Sequence, residues 1–244
     1  MWGLAQKVTT NNTIILLILG TLPSIIWLIL FLTKDPRPEP KYLIAKVFLF
    51  GIIIAPLVAL MEAVVSEISN VGLISKTIIF LVWVAFIEEY MKYWVVKTAV
   101  ISRPDFDEPP DAIIYMIAAA LGFAAMENIL IVFKVFPAEG LGATVGTISL
   151  RFTGATLLHA LASGIVGYFL GLAWFFYHFK KQLIALGIIL AAILHLLFNS
   201  LIFLSPDSAL PNTSLLLLGM LIFLLFLFDK LRERHQQIIQ ETPT

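Results

Sequence analysis

Two adjacent glutamates, Glu88 and Glu89, interrupt a stretch of residues that is otherwise apolar enough for hydrocarbon. Lys92 follows one helical turn later, inside the segment from Phe86 to Lys97. An ionised side chain near the centre of a bilayer costs about 2.5–3.5 kcal/mol on insertion scales, so such residues mark a functional site by default. We therefore interpret this segment as half of an intramembrane active site.

Other polar side chains occur in or near the middle thirds of three later apolar segments. Glu88 and Lys92 are four residues apart, as are His195 and Asn199, so each pair faces one side of a helix. The full interior set is Glu88, Glu89, Lys92, Glu127, Asn128, His159, His195 and Asn199. Four successive helices of one bundle could bring these residues to a common depth.

Two chemistries fit two histidines together with several carboxylates. In the first, His159, His195 and a glutamate bind a divalent metal such as zinc, which lowers the pKa of bound water to about 7. In the second, a glutamate takes a proton from water while histidine and Asn199 stabilise the oxyanion. Both are hydrolytic, and the chain lacks the HExxH, GxSxG and GxGD motifs of other intramembrane protease types.

Composition indicates a membrane protein. Of the 244 residues, 60% are hydrophobic and 13% are charged, and the mean hydropathy is +0.97, whereas soluble domains are about 45–50% apolar and about 25% charged. The net charge is zero and no basic patch with interleaved aromatics is present, so no nucleic-acid partner is predicted. There are no cysteines, which excludes disulfides, cysteine-ligated zinc and thiol catalysis.

The elements that must position these residues are membrane-spanning helices of about 20 apolar residues each. This rule predicts an all-α, polytopic transmembrane helix bundle of about seven spans, with residues 1–244 as a single membrane domain. The predicted spans are 14–32, 43–65, 73–96, 111–133, 147–176, 183–204 and 215–228. A glycine-rich connection from Pro137 to Gly146 is expected between the fourth and fifth spans. Glu62, Glu67 and Lys76 fall near span ends, where snorkelling to the interface explains them.

The fifth span carries a stripe of small residues. Its members are Ala160, Gly164, Gly167 and Gly171. Small residues let two transmembrane helices approach closely, so this stripe predicts a helix–helix contact with His159 at its edge.

Lysine and arginine counts orient the bundle through the positive-inside rule. One side carries Lys34, Arg37, Lys41, Lys46, Lys97, Arg103, Lys180, Lys181, Lys230, Arg232 and Arg234. The other side carries only Lys7, Lys76 and Lys134. We therefore predict a multi-pass protein of the cell membrane with its N-terminus outside and its C-terminus in the cytoplasm.

The order of the motifs resembles that of the PrsW family of intramembrane proteases, which is distantly similar to type II CAAX prenyl endopeptidases and bacteriocin-processing proteases. The resembling segments are Glu88-Glu89-x-x-Lys92, Pro110-Asp111, LGFAAMEN at 121–128, His159-Ala160 with Gly164, and His195-x-x-x-Asn199. They lie within 86–199, and the first, second and seventh spans carry no signature.

The resemblance implies an endopeptidase that cuts a membrane-anchored protein, as PrsW makes the first cut in a single-pass anti-sigma factor. It implies that Glu88 and Glu89 are the catalytic carboxylates and that Glu127, His159, His195 and Asn199 complete the site. In the metal-dependent alternative the expected Zn²⁺ ligands are His159, His195 and Glu127, whereas the glutamate-type alternative needs no cofactor. The sequence favours the latter because no two histidines share a metal-chelating helix turn.

Other functions stay open at this stage. A proton-coupled transporter also buries Glu, His and Lys in its proton relay, although the chain shows no internal repeat or paired broken helices. A CAAX- or bacteriocin-type processing protease would share the chemistry and differ in its substrate, and a non-enzymatic scaffold could keep the fold. Because the predicted external loops are short, substrate choice is expected to come from the bundle or from a partner.

Overall fold

The computed structural model of the chain describes residues 9–35, 37–69, 76–204 and 206–241. Within these ranges the chain is helical and has no strand, which confirms the all-α class. The helices are α1 (Thr10–Leu32), α2 (Lys41–Ser69), α3 (Lys76–Ala99), α4 (Asp111–Thr153), α5 (Ala155–Phe175), α6 (Lys180–Leu204) and α7 (Ala209–Glu241).

Five helical segments are long and apolar enough to cross a membrane. They are Thr10–Leu32, Lys41–Glu67, Asp111–Phe175, Tyr177–Leu204 and Ala209–Glu241. They support a multi-pass membrane protein, whereas the predicted number of seven spans stays a prediction. The polar helix α3 is not among the five segments. Lys7 and the start of the third predicted span, residues 73–75, lie outside the described residues.

Helix α4 differs from the prediction for its C-terminal half. The expected connection from Pro137 to Gly146 is helical, and α4 continues to Thr153 with one non-helical residue, Gly140, at φ 82° and ψ −178°. The predicted loop was therefore wrong, and the fifth predicted span begins on the end of α4. A glycine adopts positive φ at little steric cost, so Gly140 alone can interrupt the helix. The glycine-rich sequence had suggested a longer loop.

The N-terminal half of α4 forms the centre of the bundle. All residues from Asp111 to Ala125 are buried, as expected for a helix that is apolar on every side. Helices α1, α2 and α5 pack directly on α4, while α3 packs on α2 and α6, and α7 packs on α5. This arrangement lets residues of α3, α4, α5 and α6 meet at one place.

Helices α2 and α4 cross so closely that their contact requires glycine. A Cβ atom on Gly122 would lie 1.9 Å from the carbonyl oxygen of Phe48, and one on Gly51 would lie 2.2 Å from the carbonyl oxygen of Ala119. Both obstacles are backbone atoms, which cannot rotate away as a side chain can. Van der Waals packing through small residues is a main source of helix association in membranes.

The small-residue stripe of α5 makes the predicted helix contacts. A Cβ on Gly164 would meet Leu224 of α7 at 2.6 Å, and one on Gly167 would meet the backbone of Ile113 of α4 at 2.5 Å. The prediction of close helix packing along this stripe is confirmed. Because Gly164 and Gly167 face different neighbours, the stripe seats α5 between α4 and α7.

We predict that Gly122→Ala lowers the thermal unfolding midpoint of the purified protein, because its methyl group would force the α2 and α4 backbones apart. Overpacking of this kind costs about 1–3 kcal/mol. The matched control is Gly142→Ala on the same helix, where a Cβ meets nothing within 4 Å. That control should unfold at or above the wild-type midpoint, and equal midpoints for the two variants would contradict the close crossing.

Candidate active site

The site is built around the ammonium group of Lys92, which is fully buried. Its Nζ donates to Oε1 of Glu89 at 2.8 Å, to Oε2 of Glu88 at 3.2 Å and to Nδ1 of His159 at 2.8 Å. An ammonium has three hydrogens and no acceptor, so all of its donors are used. The same nitrogen lies 4.7 Å from the ring centroid of Phe123, within the range of a cation–π contact.

The lysine fixes the tautomer of His159. Because an ammonium can only donate, Nδ1 of His159 is the acceptor and Nε2 carries the ring proton. Nε2 then donates to Oε2 of Glu127 on α4 at 2.7 Å, and the same carboxylate accepts from Arg151 at 3.1 Å. His159 is therefore held in one orientation between α3 and α4.

Both carboxylate oxygens of Glu89 are occupied. Oε1 accepts from Lys92 at 2.8 Å and lies 3.3 Å from Nδ1 of His195, while Oε2 accepts from the hydroxyl of Ser163 at 2.6 Å. The residue has no exposed surface. Glu89 thus ties α3 to α5 and α6. Sequence reasoning gave Ser163 no role because it looked for a serine nucleophile motif, whereas here the hydroxyl serves as a hydrogen-bond donor.

Glu88 is less engaged than Glu89. Its Oε2 lies 3.2 Å from Lys92, 3.6 Å from His159 Nδ1 and 3.9 Å from His195 Nδ1. Its other oxygen, Oε1, accepts no hydrogen bond from any residue in the described part of the chain. The structure therefore separates two neighbouring glutamates that the sequence alone could not distinguish.

Four side chains are placed as metal ligands would be. Glu88, Glu89, His159 and His195 each offer one ligand atom, and these atoms all lie within 4.8 Å of one another. The two imidazole rings are perpendicular, with centroids 5.2 Å apart. Two imidazoles and two carboxylates are donors that zinc accepts, so the residues fit such an ion by chemical type. Three of the four already contact the Lys92 ammonium.

Residues 39–228 match the family model described as the PrsW family of intramembrane metalloproteases. The chain belongs to this family. It is 29% identical to Protease PrsW of Oceanobacillus iheyensis over 181 residues, which are 74% of this chain and 79% of that protein. It is 29% identical over 184 residues to Protease PrsW of Geobacillus kaustophilus (75% and 77%) and 31% identical over 157 residues to that of Bacillus subtilis (64% and 67%). No solved structure matches the chain.

Membership of the PrsW family confirms the resemblance and makes the chain a membrane protease. The residues that the structure groups as possible metal ligands differ from the predicted set of His159, His195 and Glu127. Glu127 bonds Nε2 of His159, on the opposite side of the ring from Nδ1, which faces Glu88. This is how a carboxylate orients a histidine that uses its other nitrogen elsewhere. A direct ligand role for Glu127 stays a prediction that the geometry does not favour.

The two asparagines of the predicted set have different surroundings in this PrsW family member. Asn128 is buried, accepts from Arg151 at 2.5 Å and donates to Thr156 at 3.1 Å, so it joins α4 to α5. Asn199 is half-buried on α6, one turn beyond His195. In the described ranges no hydrogen bond involves its side chain.

Glu62 on α2, which the sequence analysis placed at the interface, has partly buried surroundings. Snorkelling would carry its carboxylate to water, yet its Oε1 is buried without a hydrogen-bond partner. The interface interpretation of Glu62 stays a prediction that the burial of Oε1 does not favour. Position along a helix gives depth but not the covered face, and that face is set here by the packing of α2 on α3 and α4.

The Pro110–Asp111 motif lies at the other end of α4 and has a structural role. Oδ2 of Asp111 accepts from the backbone N–H groups of Asp107 and Glu108, at 3.1 and 2.7 Å. Tyr115 donates to Glu39 of the loop between α1 and α2 at 2.5 Å, and burial raises the pKa of Glu39. These contacts anchor two proline-rich loops to the central helix.

We predict that Lys92→Met strongly lowers the thermal unfolding midpoint, because it leaves Glu88 and Glu89 buried side by side without their cation. Breaking a buried ion pair from one side costs about 3–5 kcal/mol. Lys97→Met, at an exposed position on the same helix, should change stability by less than about 0.5 kcal/mol. An unchanged midpoint for Lys92→Met would contradict the role of Lys92 as the counter-ion.

Proposed function

We propose that this PrsW family member hydrolyses a peptide bond in a membrane-anchored, single-pass protein of the anti-sigma-factor type, and that Glu88 is the carboxylate that meets the hydrolytic water. The observation that carries the assignment is the unequal bonding of the two glutamates. Glu89 accepts on both oxygens, whereas Oε1 of Glu88 accepts no hydrogen bond from the described residues. Of these two glutamates, Glu88 is therefore the one with an oxygen available to accept a proton from water.

In the proposed reaction, Glu88 takes a proton from water as the water oxygen attacks the carbonyl carbon of the scissile peptide. The proton then passes to the departing amine, so the carboxylate is regenerated. Glu89 touches neither water nor peptide in this scheme. It positions Lys92, His195 and Ser163, and through Lys92 it holds Glu88.

The developing oxyanion needs hydrogen-bond donors. Asn199 and His195 lie one turn apart on α6, and the Asn199 amide is not engaged by any described residue. We assign the Asn199 amide to this task, because donors fixed in a water-poor site stabilise a developing charge strongly, whereas the Nδ1 donor of His195 faces Glu89. Asn128 is unsuited to it, since both ends of its amide are already bonded.

A metal ion would use the same residues. Glu88, Glu89, His159 and His195 would hold it, and Glu127 would orient His159 through Nε2–H. When bound, zinc supplies Lewis-acid activation of water. Lys92 bonds Oε2 of Glu88, Oε1 of Glu89 and Nδ1 of His159. The ammonium and a metal therefore compete for the same atoms.

The proposed substrate and orientation rest on the family and on the charge pattern. The positive-inside count favours an external N-terminus and a cytoplasmic C-terminus. Family membership favours proteolysis over the transporter alternative. A CAAX- or bacteriocin-type processing activity would use the same residues, so a panel of single-span and prenylated reporters separates the two substrate classes.

We expect Glu88→Gln to lower cleavage of a single-span reporter by about 100-fold or more, the usual contribution of a general base. Its melting temperature should stay near that of wild type, because Lys92 keeps its contact with Glu89. Glu89→Gln should lower both the cleavage rate and the melting temperature. Glu67→Gln, at an exposed position, should leave both unchanged. Normal cleavage by Glu88→Gln would refute the assignment.

Metal dependence is tested by elemental analysis of the purified protein together with reporter cleavage with and without a chelator. We expect the purified protein to contain well below about one zinc per chain, because the Lys92 ammonium already bonds the candidate ligand atoms. We also expect cleavage to persist in the presence of the chelator. Loss of zinc and activity together on chelation, with recovery when zinc is added, would instead establish the metal-dependent alternative that the family's description suggests.

A further inference from the structure

Exposed aromatic side chains surround the end of the bundle where α5 terminates. Trp174, Phe176, Tyr177 and Phe179 all present large surfaces there, and Tyr177 is 75% exposed. Tryptophan and tyrosine residues, here Trp174 and Tyr177, concentrate at the membrane–water interface, at the level of the lipid headgroups. We call these four residues the aromatic belt, and they mark the headgroup level at this end of the molecule.

Arg234 of α7 lies against the belt. Its guanidinium carbon is 4.6 Å from the ring centroid of Phe176 and 5.0 Å from that of Phe175. Two aromatic contacts hold the planar group in a defined position. Within the described ranges no carboxylate pairs with Arg234 and no acceptor takes its hydrogen bonds. A guanidinium carries five N–H donors, so a fixed cation with available donors lies at headgroup depth.

A groove of about 580 Å³ runs between α5 and α7 beside Arg234. Leu172 and Phe226 form an apolar wall on one side of the groove, and Tyr168 and Gln237 also line it. Its mouth carries Lys230, Glu233 and Arg234. Lys230 donates to Glu233 at 2.8 Å, so the one carboxylate of the mouth is already matched. The remaining positive charge is that of Arg234.

We propose that this groove binds an anionic phospholipid, with the phosphate on Arg234 and an acyl chain along the apolar wall. Arginine binds phosphate through two parallel hydrogen bonds, and basic pockets between transmembrane helices hold anionic lipid headgroups. A soluble phosphate would use Arg234 alone, whereas a phospholipid uses both the charged mouth and the wall. The lipid would also fasten α7 against α5 where α7 leaves the bilayer.

The test is native mass spectrometry of the full-length protein in detergent, titrated with dioleoyl phosphatidylglycerol or dioleoyl phosphatidylcholine. We expect wild type to retain phosphatidylglycerol preferentially, and R234A to bind it about tenfold more weakly, as expected for loss of hydrogen bonds to a charged group. R234Q keeps most of the side-chain length without the charge, and it should bind phosphatidylglycerol as weakly as R234A. It therefore tests the same prediction if R234A folds poorly. The matched control is R232A, because Arg232 already pairs with Asp229 at 3.1 Å.

Three results would overturn the proposal. Equal retention of phosphatidylglycerol by wild type, R234A and R234Q would remove Arg234 from the site. Equal retention of phosphatidylglycerol and phosphatidylcholine by wild type would show that the anionic headgroup is not recognised. Displacement of bound phosphatidylglycerol by millimolar glycerol 3-phosphate would show that the groove takes a soluble phosphate, without use of its apolar wall.

Discussion

A buried ammonium group in a membrane bundle has to be matched by charges and acceptors, and Lys92 is matched by acceptors on two helices, α3 and α5. Its bonds to Glu88 and Glu89 lie within α3, and its bond to His159 reaches α5. Through Glu89 the same network extends to His195 on α6. Leaving any of these charges unpaired in a low-dielectric interior is costly, so the helices are constrained to meet at this point.

The same constraint gives the two glutamates different hydrogen-bonding surroundings. Glu89 is surrounded by donors and is fixed by them, while Glu88 shares only one oxygen with the network. A group that is saturated with hydrogen bonds is suited to positioning, and a group with an available lone pair is suited to proton transfer. His159 is likewise fixed by its partners, since Lys92 donates to Nδ1 and Glu127 accepts from Nε2, which selects the Nε2–H tautomer.

Close helix packing makes this network possible, and here the sequence was partly sufficient. The glycines of α5 predicted a helix contact, and the structure shows Gly167 against α4 and Gly164 against α7. The break at Gly140 could not be predicted, because a glycine-rich segment is compatible with either a loop or a single positive-φ residue within a helix. The burial of Oε1 of Glu62 could not be predicted, because sequence position does not show which face of a helix is covered by its neighbours.

By itself the sequence determined that the protein is an all-α, multi-pass membrane protein, and it predicted a set of residues to carry the chemistry. It did so because ionisable side chains in apolar segments are costly wherever the fold places them, so their presence is informative without coordinates. Only the tertiary structure showed which oxygen of which glutamate is available, and that Glu127 contacts Nε2 of His159 while the carboxylates of α3 lie on the Nδ1 side of the ring. Those distinctions depend on distances between atoms of different helices, and spacing along one chain does not contain them.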